Sequence, residues 1–335
     1  MPSTVTPSIQ QAFHGPLRAW YDTHHRDLPW RRTRDPYAIV VSEFMCQQTQ
    51  VATVIPYYER WLEQFPHWNA LAAASESTVL KAWEGLGYYR RARFLHRLAQ
   101  EIVHKRGGTL PETADELRRL PGIGPYMAGA VASIAFGKPA PLVDGNVERV
   151  LARVFAYGQP AKSTAAQRQF WNWAAELMPR RRCGDHNQSL MELGARVCTP
   201  RNPQCLFCPL APICAGKTSP ERYPVIPRAS AVVLEKVFAV VLRGKKIWLL
   251  DPESDGLWSG LPRLPEFDSS WMSECGIHGS LQVGITQYRI RATIAAARPT
   301  RAAPRHGRWH LLEALQTLTL PAPHRRMIAR VLVAR

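Results

Sequence analysis

The stretch TADELRRLPGIGPYMAGAVASIAFG, residues 113–137, reads as two helices joined by a tight hairpin. Thr113 and Glu116 have the spacing of a capping box, which opens a first helix expected to run to Leu120. LPGIG then turns, and Pro125 stands where proline starts a second helix. Gly122 and Gly124 would let the backbone come close to a phosphate, with the amides of the second helix facing the anion. A helix–helix corner that binds nothing also favours glycine, so the motif needs company. Twenty residues on comes VDGNVERVLARV, whose Asp144 stands at the N-cap of an amphipathic helix with Val147, Val150, Leu151 and Val154 on one face.

Outward from this hairpin, the chain divides. With 335 residues it is too long for one ordinary core, and two domains are expected. Residues 1–215 read as helices with short connections, including a face of Leu17, Trp20 and Tyr21 before the LPWR turn. Residues 216–231 are rich in proline and polar residues and read as a linker. From 232 to 335 the pattern changes to strands. AVVLEKVFAVVLRGKKIWLL predicts a hairpin turning at Arg243 to Lys245, and GITQYRIRATIAAA a further strand. The expected fold is mainly α, with a smaller C-terminal α+β domain.

Lysine and arginine number 43 against 26 acids, a net charge of +17. That excess points to a polyanion, either nucleic acid or an anionic surface. No apolar run approaches the length of a bilayer crossing, so no membrane role is expected. The N-terminus MPSTVTPSIQQ lacks the regions of a signal peptide, which predicts a cytoplasmic location.

Of seven cysteines, Cys198, Cys205, Cys208 and Cys214 form C-x6-C-x2-C-x5-C within a proline-rich, loop-like segment. Four thiols there are hard to bury as inert core, and a metal centre is the better reading. A zinc ribbon brings two separated C-x2-C pairs, whereas one such pair exists here. Gly216-Lys217-Thr218 imitates the end of a phosphate-binding loop, but its first glycine is replaced by Ala211. HExxH is absent.

Six blocks in order carry a resemblance: LPWR, VSEFMCQQTQV (41–51), WEGLGYYRRAR (83–93), LPGIGPYMAGAV, VDGNVERV and the four-cysteine loop. Together they resemble the MutY adenine DNA glycosylases of the endonuclease III superfamily, collinearly over about residues 17–215. The resemblance implies a helix-hairpin-helix DNA glycosylase body and one 4Fe-4S cluster on the loop 198–214. It implies removal of adenine opposite 8-oxoguanine or guanine in double-stranded DNA, by a monomer in the bacterial nucleoid.

The chemistry asks for two carboxylates, one to protonate the leaving base and one to stabilise an oxocarbenium-like sugar. Glu43 lies in the apolar run AIVVSEFM, where desolvation suits a general acid; Asp144, kept ionised by helix amides, would face the sugar. The family pattern implies that Tyr126 and Asn146 orient Asp144 and that Arg31 supports the adenine pocket. Relatives that also cut the strand carry a lysine at the position of Tyr126, so its absence implies a monofunctional enzyme. Gln48, Thr49, Leu86 and Tyr88 match positions that wedge into the base stack, and Arg201 is placed to meet phosphate.

The C-terminal part resembles a Nudix-like 8-oxoguanine-reading domain through GLWSGLPRLP (256–265), without the acidic box of a hydrolase. Its reading loop corresponds to Ile285-Thr286-Gln287, where Thr286 keeps a hydroxyl for the lesion, and the altered neighbours imply weaker discrimination. The alternatives are a thymine or other-base glycosylase of the same superfamily, a non-catalytic iron–sulfur DNA-binding protein, and a zinc-dependent transcription factor.

Overall fold

The structure, a computed structural model, describes residues 5–226, 231–253, 256–285 and 287–334. In chain order its helices are α1 (Pro7–His24), α2 (Pro36–Cys46), α3 (Val51–Gln64), α4 (Trp68–Ala73), α5 (Glu76–Ala82) and α6 (Arg90–Arg106). They continue with α7 (Ala114–Leu117), α8 (Pro125–Ile134), α9 (Gly145–Val154), α10 (Thr164–Glu176), α11 (Cys183–Arg196) and α12 (Ala322–Val333). The strands are β1 (Val232–Arg243), β2 (Lys246–Leu250), β3 (Met272–Ile285), β4 (Tyr288–Pro299) and β5 (Gly307–Leu311). Two compact units result: Met1–Ala74 with Arg90–Arg228, and Ser75–Tyr89 with Ala229–Arg335. Among the described residues no helix is long and apolar enough to cross a membrane.

In the helical unit, the α9 stripe of Val147, Val150, Leu151 and Val154 is buried against Phe170 and Trp173, Leu190 and Leu193, and Phe13 and Leu17. Two helices are apolar on every side and are therefore central. Tyr37 to Met45 of α2 and Met127 to Ile134 of α8 are buried without a break. Both deliver a functional side chain from this dry interior.

The hairpin forms, with differences from expectation. Thr113 accepts from the Glu116 amide, but α7 stops at Leu117 and the chain continues to Leu120 in turns. Gly122 has φ +76°, and a Cβ there would stand 2.6 Å from that of Phe94, so glycine is required. Gly124 does not share this reason: it is extended, with open space where a Cβ would go. Its bareness leaves the N-terminal amides of α8, which no side chain caps, open to solvent.

The linker expectation also needs correction. Residues 216–226 are tied down by the buried Arg153, whose Nε donates to the carbonyls of Pro220 (2.9 Å) and Tyr223 (3.0 Å). The Ala161 amide donates to Val225 O at 2.9 Å. A proline-rich composition reads as loop, but buried donors elsewhere in the chain claim its carbonyls.

The second unit is a five-stranded sheet of order β3-β4-β1-β2-β5. β1 and β2 form the expected hairpin, turning through Gly244, while β1 and β4 pair in parallel. Helix α12 covers one face, burying Met327, Ile328 and Val331 with Phe238, Val240 and Ile290. The segment Ser75–Tyr89 belongs with this sheet and not, as the sequence led us to expect, with the helical body. Its anchors are Glu84, which pairs with Arg325 of α12, and Tyr89, whose hydroxyl donates to Leu320 O at 3.3 Å. The sequence GLWSGLPRLP packs beneath α12: Trp258 meets the His324 ring edge-on at 4.3 Å, and the Leu264 amide donates to His324 Nδ1 at 3.2 Å.

That last bond generates a pH prediction. Burial, then Arg263, holds His324 far below the ordinary 6.5, at about 3. The unfolded chain therefore binds a proton that the folded one refuses. The stabilisation is complete above pH 6.5 and is lost as pH falls toward 3, by up to about 1.4 kcal/mol per pH unit. Denaturation of the full chain between pH 7 and pH 5 should show this slope for the C-terminal unit. His324→Gln, which keeps an acceptor for Leu264, should flatten it; equal slopes in both proteins would refute the assignment.

Candidate active site and cysteine centre

Glu43 is buried because α2 is surrounded by apolar side chains, and its carboxylate meets few groups able to solvate it. One does: the Tyr126 hydroxyl, at the start of α8, donates to Glu43 Oε2 at 2.8 Å. Burial pushes Glu43 up to about 7 from 4.5; the Tyr126 bond and Arg31 oppose the shift, while Asp144 adds to it. A carboxylic acid half-protonated at neutral pH is suited to giving a proton away. The Tyr126 hydroxyl thus bonds Glu43, where the sequence reading expected it to orient Asp144.

Asp144 is the N-cap of α9 and accepts from the amides of Asn146 (3.0 Å) and Val147 (2.7 Å). Asn146 Nδ2 adds a third bond, to Oδ2, at 2.8 Å. Burial nevertheless pushes the Asp144 carboxyl above its ordinary range, and these donors offset only part of that rise. The helix amides therefore do not by themselves depress this acid. Asn146 is held in turn: its Oδ1 accepts from Arg149 Nη2 at 2.8 Å. A Cβ at Gly194 of α11 would lie 2.6 Å from the Asn146 Cβ, so only glycine leaves room.

Beside Glu43 a cleft is lined by Trp30, Arg31, Ser42, Glu43, Gln188 and Met191. Arg31, expected to support an adenine pocket, is fixed by Glu192 Oε2 at 2.9 Å, by the Arg26 carbonyl at 3.0 Å and by the Tyr21 ring. Glu192 is fully buried, and burial would raise its pKa, but the Arg26 and Arg31 guanidiniums hold it down at about 2. Sequence reasoning missed Glu192, Gln188 and Met191. Their one local signal is the i, i+3, i+4 spacing on α11, which any buried helix face also shows.

Cys198, Cys205, Cys208 and Cys214 line one small cavity, closed by Arg153, Val197, Pro203 and Pro220. The Cys208 thiol is pushed up to about 11, first by burial and also by the three neighbouring sulfurs. Burial pushes the Cys214 thiol up as well, and crowded sulfurs of this kind are an arrangement that a cationic group resolves. Among the described residues no three His, Cys, Asp or Glu side chains are placed to hold a single ion. A cluster, which takes one thiolate per iron, is compatible with the wider spacing. Arg153 Nη1 donates to Cys198 Sγ at 3.3 Å, and Arg149 Nε to the Cys198 carbonyl at 2.7 Å.

The expected wedge residues part company. Gln48 is exposed and held at φ +55°, with Thr49 beside it half-buried. Arg91 braces this turn: its Nη1 reaches the carbonyls of Phe44, Met45 and Gln47, and its Nη2 reaches Thr49 Oγ1. Tyr88 is 43% exposed, but Leu86 is 5% exposed, turned inward by the positive φ of Gly85 and Gly87 on either side. Arg201 is exposed on the cysteine loop. Ile285 and Gln287 lie at the β3–β4 hairpin turn; Thr286 lies outside the described residues.

The description "HhH-GPD superfamily base excision DNA repair protein" matches residues 41–176, which hold both carboxylates and the hairpin. Adenine DNA glycosylase of Buchnera aphidicola is 32% identical over 265 residues, which cover 76% of this chain and 75% of that protein. The chain belongs to the adenine DNA glycosylase family. The human adenine DNA glycosylase is 48% identical over 228 residues, or 65% of this chain. The match spans only 42% of that relative's length. Among solved structures, a thermostable thymine-DNA glycosylase superposes with a TM-score of 0.58 at 31% identity, covering 62% of this chain and 96% of that one. Family members thus share the frame that carries Glu43, Tyr126 and Asp144.

The site geometry makes one prediction independent of activity. In a carbon-13 titration of the glutamate carboxyls, Glu43 should show a midpoint of about 7. Tyr126→Phe removes a donor that favours the charged form, so the midpoint should move higher. A midpoint at the ordinary 4.5, or one indifferent to Tyr126→Phe, would contradict the desolvated-acid assignment.

Proposed function

We propose that this chain is a monofunctional DNA glycosylase that hydrolyses the N-glycosidic bond of adenine mispaired with 8-oxoguanine or guanine in duplex DNA. The observation that carries the reading is the pair of unequal carboxylates, a buried Glu43 at about 7 and an Asp144 bound by three N–H donors. Glu43, half-protonated at neutral pH, gives its proton to the departing adenine in its acid form. Asp144, once charged, faces the electron-poor sugar carbon, and its three donors keep it aimed there. Tyr126 holds the Glu43 carboxyl in place. Arg31, fixed by Glu192, walls the base cleft with Trp30.

No lysine stands in the hairpin, where Tyr126 occupies the critical position. Without an amine there, the sugar cation is captured by water and the strand stays intact. The bare N-terminus of α8 and the exposed Arg201 supply phosphate contacts, within a chain of +17. Cys198, Cys205, Cys208 and Cys214 would hold one 4Fe-4S cluster, which supplies a rigid frame for the loop and takes no part in hydrolysis. The C-terminal sheet, a Nudix-like module, would read the base opposite adenine, with Ile285, Thr286 and Gln287 as its contact residues. Protein and DNA meet one to one, in the cytoplasm of a bacterial cell.

The similarity to a thymine-DNA glycosylase keeps one rival reading in play. A single-turnover assay on A:8-oxoG, A:G, T:G and A:T duplexes separates the two. Both adenine mispairs should lose their base, strand breaks should appear only after alkali, and Asp144→Asn should lower the rate by about a thousandfold or more while duplex binding persists. Faster release of thymine from T:G would overturn the assignment. The cysteine centre has its own test. The purified protein should be brown, with iron and acid-labile sulfide in equal amounts, and Cys208→Ser should lose both; a colourless zinc protein would remove the cluster from the proposal.

A further inference from the structure

The segment Ser75–Tyr89 is short, yet it is built into the sheet unit, with the Glu84–Arg325 ion pair and the Tyr89 hydroxyl among its anchors. Glu84 Oε1 accepts from Arg325 Nε at 2.7 Å and from Nη2 at 2.5 Å, while its Oε2 accepts from Lys81 Nζ at 2.6 Å. The Glu84 side chain is 15% exposed, so these bonds are largely shielded from water. Arg325 is immobilised in turn, its Nη1 donating to Leu315 O at 2.9 Å and its Nη2 to Leu318 O at 2.7 Å. Two guanidinium nitrogens converge on one carboxylate oxygen, and the bonds from Arg325 to two carbonyls hold the pair in that arrangement.

What Glu84 opens is the turn Gly85-Leu86-Gly87-Tyr88. Three of its four residues have positive φ, of +108° at Gly85, +71° at Gly87 and +49° at Tyr88. A tyrosine in that region is unfavourable by itself and persists only where its surroundings impose it. The buried Trp83 closes the turn from one side, donating from Nε1 to Gly87 O at 3.0 Å. The Glu84–Arg325 pair closes it from the other. The turn that presents the exposed Tyr88 is thus clamped by a helix more than two hundred residues away in sequence.

We infer that Arg325, through Glu84, is a positioning residue that sets the Tyr88 turn and thereby couples the C-terminal unit to mispair discrimination. This rests on the glycosylase reading above, in which Tyr88 probes the base stack. It differs from direct lesion reading by the 285–287 turn: the C-terminal unit here acts on selectivity by holding a segment of the N-terminal sequence. Loss of the guanidinium removes the strongest of the bonds to Glu84, leaving those from Lys81 and the Leu320 amide, and loosens the positive-φ turn that carries Tyr88. The adenine cleft and its two carboxylates are untouched by this change.

The test uses the full chain with three variants: Arg325→Ala, Glu84→Gln and the double substitution. Arg326→Ala serves as control, since Arg326 is the exposed neighbour and has the same charge. Amide hydrogen exchange over residues 83–90 should accelerate about tenfold in Arg325→Ala and stay as wild type in Arg326→Ala. The ratio of single-turnover rates for A:8-oxoG over A:G should fall about fivefold in each single variant and no further in the double. Arg325→Lys should restore part of both. Wild-type exchange in Arg325→Ala would overturn the clamp. Faster exchange with an unchanged rate ratio would overturn its part in selectivity. Should the wild-type protein release no adenine at all, the glycosylase reading fails, while the exchange result still decides the clamp.

Discussion

The constraint on which this site depends is the exclusion of water from Glu43. A carboxyl group acts as a proton donor at neutral pH only when the ionised form is disfavoured. Helix α2 achieves this by being apolar on every side, so that no face of it is left for solvent. The cost of burying an acid is moderated by a single hydroxyl, that of Tyr126, which keeps the carboxyl from rising further. Most of the helical unit can be seen as the packing needed to keep that one side chain dry and still reachable through the cleft beside Trp30.

Asp144 is handled differently, although burial raises it too. It sits where a helix begins, and its three N–H donors form a fixed socket. That socket is continuous with the cysteine loop. Asn146 binds Asp144, Arg149 binds Asn146, and Arg149 also binds the Cys198 and Gly194 carbonyls. The loop that appears in sequence as a separate metal-binding element is therefore mechanically part of the carboxylate's support. Arg153, one turn further along α9, ties the same loop to the segment that the sequence presents as a linker.

Legibility in the sequence followed the range of the interactions. The hairpin, the N-cap role of Asp144, the α9 stripe and the β1–β2 turn all depend on residues close in the chain, and their spacing announced them. The four cysteines were legible as a group because they recur at short intervals, and the structure brings them to one cavity. The bond from Tyr126 to Glu43 was not legible, since it depends on how α8 lies against α2. Glu192 was invisible for the same reason: its meaning comes from Arg26 and Arg31, over 160 residues distant. Ser75–Tyr89 was placed in the wrong unit because the arginine that claims it stands near the other end of the chain. The inward turn of Leu86 could have been suspected from the two glycines that flank it.

The tight approach of α11 to Asn146 has a consequence for which substitutions this protein tolerates. Gly194 touches neither DNA nor cleft in the proposed scheme, and a methyl group there is a small chemical change. Yet it would press on the side chain that steadies Asp144. Because the Asn146 backbone is in the way as well as its side chain, a substitution would push α11 from α9 and shift the socket of Asp144 with it.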